Sequence, residues 1–266
     1  MIREERVDGM RQSLVDHREF LRSHAKQAYA ILHGGGDTGG DQDLIQQADD
    51  TPESDTGLSP EAWEILLELR APTAVIGAER RLALCRRALA LLDRRSYPGL
   101  WAGMNAELGR LLPDSTEGNR ADNLDRAINC YGLAFEILTK ESEPDVWAEA
   151  QFNLGNNYMD RINGDRADNV ECAIRCYERA IEVRTRYAHP VKWAETSINL
   201  GNGYRNRIGG ERRDNLQQAV SCYQRALEVL SPEAQPMEWI GTNANLVIVN
   251  DLLAAQGKAS GIVRRT

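Results

Sequence analysis

Four tryptophans, Trp101, Trp147, Trp193 and Trp239, stand 46 residues apart in the chain. The same interval separates Pro98, Pro144, Pro190 and Pro236, then Leu108, Leu154, Leu200 and Leu246, then Gly118, Gly164 and Gly210. Cys130, Cys176 and Cys222 keep it too, each followed at once by Tyr131, Tyr177 or Tyr223. Repetition of this kind confines the chain to architectures in which one supersecondary unit stacks on its own copies.

One repeat, Trp147 to Lys192, predicts two helices. The first starts near Pro144, because proline suits a first helical turn whose amides have no partner. It runs on with Trp147, Ala150, Leu154, Tyr158 and Ile162 along one face, and Asn163-Gly164 is its expected C-cap. The second is expected to start after Asp168, with Glu171 completing a capping box. Asp214 with Gln217, and Asp122 with Asp125, repeat that pattern. Val170, Ala173, Ile174, Tyr177, Ile181 and Val183 form its inward face, and it stops before His189-Pro190. Such a hairpin cannot bury its apolar stripe alone, so it must pack on its neighbours.

A period of 46 also suits HEAT and armadillo repeats, so residue types must decide. Leu154-Gly155-x2-Tyr158, then Ala173-x3-Tyr177-x2-Ala180, then Pro190, resembles the tetratricopeptide repeat (TPR) signature, whose usual length is ~34 residues. The extra length falls mainly in the inter-helix turn and at the far end of the second helix. Over about residues 98 to 256 the chain is similar to bacterial long-period TPR proteins, whose arrays often precede a caspase-like CHAT protease domain. The resemblance implies an all-α fold, a TPR-like right-handed superhelical solenoid, acting as an interaction or sensor module without the protease half.

The flanks divide the chain further. Residues 1–32 carry Val7, Met10, Leu14, His17, Leu21, His24, Ala28 and Ile31 at helical spacing, an amphipathic helix that docks on the repeats or self-associates. Residues 33–58 form an acidic, glycine-containing linker. Its glycines lack the Lys-Ser/Thr of a phosphate loop. Residues 59–100 read as an atypical N-terminal capping repeat, with a degenerate first helix at Pro60 to Leu69 anchored by Trp63. Residues 101–146, 147–192 and 193–238 are three repeats, 239–256 a C-terminal capping helix, and 257–266 a tail. In the capping helix Ile240, Val247, Ile248, Val249, Leu252 and Leu253 are apolar nearly all round, where a terminal helix should show water a polar side. The N-terminal helix or another chain, including a second copy, is expected to cover it, the alternative being that the natural protein was once longer.

Charge and chemistry narrow the function. The formal charge is −8, from 32 Lys plus Arg and 40 Asp plus Glu. Seven of the acids lie between residues 33 and 60, where no base stands, and without them 33 acids face 32 bases. That balance disfavours a general nucleic-acid binder. No apolar run reaches the ~18 residues of a membrane span, the charged start is no secretory signal, and five cysteines fit a reducing compartment, so a cytoplasmic protein is expected. The four histidines share no motif with a nucleophile, Cys130, Cys176 and Cys222 repeat with the apolar face as packing residues, and neither His17 with His24 nor Cys172 with Cys176 makes a metal site. No enzyme activity and no cofactor are implied.

Two polar rows remain. Arg120, Arg166 and Arg212 stand in phase at the turns, with Arg161 and Arg207 also in phase. They offer an edge for an anion or acidic partner; alternatively Arg161 and Arg207 neutralise the end of the first helix and pair with Asp168 and Asp214. The second row is Asn153, Asn199 and Asn245, with Asn156 and Asn202 one turn on and Arg205 a further turn along. In TPR proteins the positions of these asparagines line the concave groove, where Asn often holds the backbone of a bound peptide, and Arg205 is expected to reach the same groove. The competing role is bonding between adjacent helices, which would only stiffen the repeats. The favoured expectation is a non-enzymatic scaffold that binds a protein or peptide partner. A regulatory subunit for a separately encoded effector such as a CHAT-type protease is the alternative, and a nucleic-acid-associated protein using the Arg edge is a third.

Overall fold

Proline supplies the first residue of five helices, where its missing N–H would have had no partner. In the computed structural model, residues 58–70 and 73–263 are described, 257–263 as backbone. They form α1 (Pro60–Leu69), α2 (Thr73–Ile76), α3 (Ala78–Leu91), α4 (Pro98–Leu111), a 3₁₀ turn (Leu112–Asp114), α5 (Arg120–Phe135), α6 (Pro144–Asp160), α7 (Arg166–Val183), α8 (Pro190–Asn206), α9 (Arg212–Leu227) and α10 (Pro236–Val263). No strand occurs among the described residues. The fold is all-α, and its helices pack in chain order, α6 on α7, α7 on α8, α8 on α9 and α9 on α10. The N-terminal helix and acidic linker expected before residue 58 lie outside the described residues.

The chain divides into two compact bodies. The described part of the first comprises residues 58–70, 73–118 and 130–138. Its interior holds Ile65, Leu66 and Leu69 of α1 and Leu82, Cys85 and Ala88 of α3. It also holds an ion pair that the sequence did not predict: Arg81 donates to Glu107, both side chains being 1% exposed or less. Arg81 also donates to Leu69 O at 3.0 Å, and Arg110 donates to Glu107 at 2.7 Å and 2.9 Å. Three N–H bonds from two guanidinium groups around one buried carboxylate replace the water it has lost.

The described part of the second comprises residues 119–129 and 139–263. Val170, Ala173, Ile174 and Tyr177 of α7 pack with Leu200 of α8 and Cys222 of α9. Leu216, Ala219 and Tyr223 pack with Val249 of α10. Each such large apolar side chain, fully buried, contributes roughly 1.5–3 kcal/mol. The Leu-Gly pair explains how closely a hairpin closes. A Cβ on Gly155 would stand 2.5 Å from Tyr177, and one on Gly201 2.7 Å from Tyr223. In the first body Gly109 and Tyr131 repeat this relation at 2.6 Å.

Several local expectations are corrected. α6 ends at Asp160, with Arg161 as its C-cap, so Asn163-Gly164 lies in the turn and Ile162 is 61% exposed rather than inward. Gly164 and Gly210 hold φ of 79° and 74° there, in the left-handed region that favours glycine. Asn169 secures the first turn by donating to Asn163 O at 2.9 Å, and Asn215 secures the second by donating to Gly209 O at 2.8 Å. α7 starts three residues earlier than expected: its N-cap is Asp165, which accepts from Asp168 N at 3.0 Å. Asn119 does the same for Asp122 at 2.9 Å. Asp122, Asp168 and Asp214 thus occupy the third helical position, where an acid favours the positive end of the helix dipole. Trp193 is buried with Ala226 and Leu230, against Ile181 of the preceding hairpin, whereas Trp147 and Trp63 are only partly buried. The C-terminal helix runs from Pro236 to Val263 rather than ending at 256.

Candidate binding face of the first helices

The asparagine row is carried by α6, α8 and α10, the first helices of successive hairpins. Asn156 accepts twice through Oδ1, from Tyr177 OH at 2.9 Å and from Asn199 Nδ2 at 3.0 Å. One amide oxygen therefore ties α6 to its own second helix and to the next first helix. Asn202 Oδ1 accepts from Tyr223 OH at 2.8 Å, and Arg205 donates to Asn245 Oδ1 at 2.9 Å. Burial pushes the Tyr223 phenol up to about 12, so it is a neutral donor at physiological pH. Asn153 is partly exposed, and its side-chain amide has no hydrogen-bond partner among the described residues. The row thus combines helix-to-helix bonds with amide groups that remain available, notably the NH2 groups of Asn156, Asn202 and Asn245, each of which could donate twice.

Beside the row stands an ionic cluster. Arg184, the residue after α7, is 3% exposed. It donates to Glu149 of α6 at 2.6 Å and to Thr196 Oγ1 of α8 at 3.0 Å. Its guanidinium lies 4.4 Å from the Phe152 ring centroid, a cation–π contact. Lys192 also reaches Glu149, at 3.2 Å. Burial alone would raise the Glu149 carboxyl, but Arg184 and Lys192 together hold it below the usual range.

Further along the same helices is an open hollow of about 290 Å³. Phe152 of α6, Glu195, Ile198 and Asn199 of α8, and Glu238, Gly241, Thr242 and Asn245 of α10 line it. It brings together two residues of the predicted row, Asn199 and Asn245, with two acids that sequence reasoning did not single out. Neither the Glu195 nor the Glu238 carboxylate has an ion pair or hydrogen bond among the described residues. Burial raises the Glu195 carboxyl, and Glu149 and Glu238 add to this against Arg184 and Lys192.

The arginines of the turns are engaged internally. Arg161 donates to Asp125 at 2.7 Å and Arg207 to Glu171 at 2.6 Å, so each pairs with the second helix of the preceding repeat, not with Asp168 or Asp214. Arg120 pairs with Asp160 at 2.8 Å. Arg166 donates to Met159 O and Arg212 to Arg205 O, occupying carbonyls at the ends of α6 and α8. Exposed pairs of this kind contribute about 0–1 kcal/mol each. Among the cysteines, Cys176 and Cys222 are buried, and burial pushes the Cys176 thiol up to about 12, which leaves it a packing group rather than a nucleophile.

No protein-family model matches the chain, and no curated protein matches it. No helix among the described residues is long and apolar enough to cross a membrane.

Proposed function

We propose that the chain is a TPR-like solenoid, a non-enzymatic scaffold that binds an extended protein or peptide segment along the face built by α6, α8 and α10. The observation that carries this reading is the hollow itself, which takes its lining from three successive first helices and includes Asn199 and Asn245. An extended segment presents alternating N–H and C=O groups, and asparagine amides can meet either kind without regard to side chains. The Arg edge supports a nucleic-acid role less well, because Arg120, Arg161 and Arg207 already face carboxylates.

Selection from a random peptide library on the purified chain, followed by chemical-shift mapping of a retained peptide, tests the proposal. Shifts should concentrate on α6, α8 and α10. Retained peptides that perturb only α7 and α9 would place the ligand on the other side of the hairpins, and a library that yields none would remove the reading.

A further inference from the structure

The hollow is lined by the in-phase counterparts of residues that surround Arg184 one repeat earlier. Moving Glu149, Phe152, Lys192 and Thr196 forward by 46 residues gives Glu195, Ile198, Glu238 and Thr242. All four line the hollow. The same step carries Arg184 to Leu230, which is 4% exposed and has no charged group to place there. In the first copy Glu149 faces two cations, Arg184 and Lys192. In the second, one of those cations has become an apolar residue and the other an acid. The acceptors that held the guanidinium persist. Glu195 stands in place of Glu149. Thr242, 1% exposed, stands in place of Thr196 and donates to Glu238 O at 2.6 Å, as Thr196 donates to Lys192 O at 2.7 Å. The Thr196 hydroxyl also accepts from Arg184, whereas that of Thr242 has no donor among the described residues.

We propose that this niche takes the guanidinium of an arginine side chain from the bound protein segment, held by Glu195, Glu238 and the Thr242 hydroxyl. The proposal rests on the reading of this face as a peptide-binding surface and specifies one side chain of the segment. A planar guanidinium can donate to a carboxylate and a hydroxyl at once while resting on an apolar surface, as Arg184 does on Phe152, with Ile198 taking that place here. The bound cation also supplies the counter-charge that Glu195 lacks, since the charged groups around it are Glu149, Glu238, Arg184 and Lys192, and the two cations are already paired with Glu149.

Isothermal titration of the full chain with acetyl-Ala-Ala-Arg-Ala-Ala-amide and its citrulline counterpart tests this, because citrulline keeps the shape and loses the charge. The arginine peptide should bind about tenfold or more tightly than the citrulline peptide. Glu238→Lys, a change at an exposed position that restores the in-phase Lys192, should lower that affinity about tenfold, and so should Glu195→Gln. Leu230→Arg, which grafts Arg184 itself, should abolish binding. Equal affinity for the two peptides, or undiminished binding to Glu238→Lys, would overturn the proposal. Library peptides that bind this face in both wild type and Glu238→Lys would leave the scaffold reading standing and remove the niche. N-acetylarginine amide binding wild type but not Glu238→Lys, with no library peptide retained, would keep a guanidinium site and remove the scaffold reading.

Discussion

Tyr177 rests its ring against Gly155 so closely that a single added carbon would stand 2.5 Å away, while its hydroxyl donates to Asn156 on the next residue of the same helix. Ring and hydroxyl together set the distance between α6 and α7, and Tyr223 does the same for Gly201 and Asn202. Gly155→Ala and Gly201→Ala should each destabilise the chain by about 1–3 kcal/mol, since the ring must move and the interior is full. Gly132, where an added Cβ meets nothing, is the control: Gly132→Ala should be neutral or stabilising by about 0.5–1 kcal/mol. Urea denaturation of the three variants checks the contrast.

The two tryptophans of the central repeats should differ. Trp193 lies buried among Ala194, Ala226 and Leu230, so Trp193→Ala should cost roughly 3–5 kcal/mol. Trp147 is partly exposed and its truncation should cost less. Thermal melting measures both, and equal losses would show that the partial exposure of Trp147 has no energetic weight.

Glu107 makes stability depend on acid. Burial would raise its carboxyl, but Arg110 and Arg81 override this and hold it below the usual carboxylate range. A folded-state value depressed below the unfolded one contributes stability above the unfolded value, and that contribution is lost as pH falls through the folded one. The urea midpoint should therefore drop as pH is lowered from 5 to 3. In Glu107→Gln this part of the dependence should vanish, and stability at neutral pH should fall by roughly 3–5 kcal/mol, because the buried Arg81 loses the Glu107 charge it faces.

Asn153 and Asn199 separate ligand binding from stiffening. Asn199 donates to Asn156, so Asn199→Ala should lose about 0.5–1.5 kcal/mol of stability. Asn153→Ala should lose almost none. The double variant should weaken binding of a library-selected peptide by about 1–3 kcal/mol with helicity retained. Circular dichroism beside titration shows which loss comes first.

The sequence made the helical hairpins legible because their determinants recur: proline at each first turn, and glycine opposite tyrosine within each hairpin. The second-helix starts were misplaced for a local reason. Asp165 and Asp168 both precede an acid by three residues, so the capping pattern fits either register until the bond from Asp168 N–H to the Asp165 carboxylate chooses one. The partners of Arg161 and Arg207 lie 36 residues back, an adjacency that only the stacking of hairpins creates. The acidic hollow escaped notice for the opposite reason. Reading for what repeats conceals what departs, and the signal was the loss of Arg184 and Lys192 at positions 230 and 238.

A single guanidinium, that of Arg184, laces α6, α7 and α8 together, while the next interface has Leu230 in its place and is crossed by the Arg205–Asn245 hydrogen bond with no ion pair to α10 among the described residues. Rivets of this kind set the order in which a row of hairpins comes apart. Transient opening should begin at α10, and amide hydrogens there should exchange sooner than those of α8. A segment that places an arginine beside Glu195 would then do more than dock. It would clamp the loosest hairpin to its neighbour and carry the slow-exchanging region one helix further along the chain.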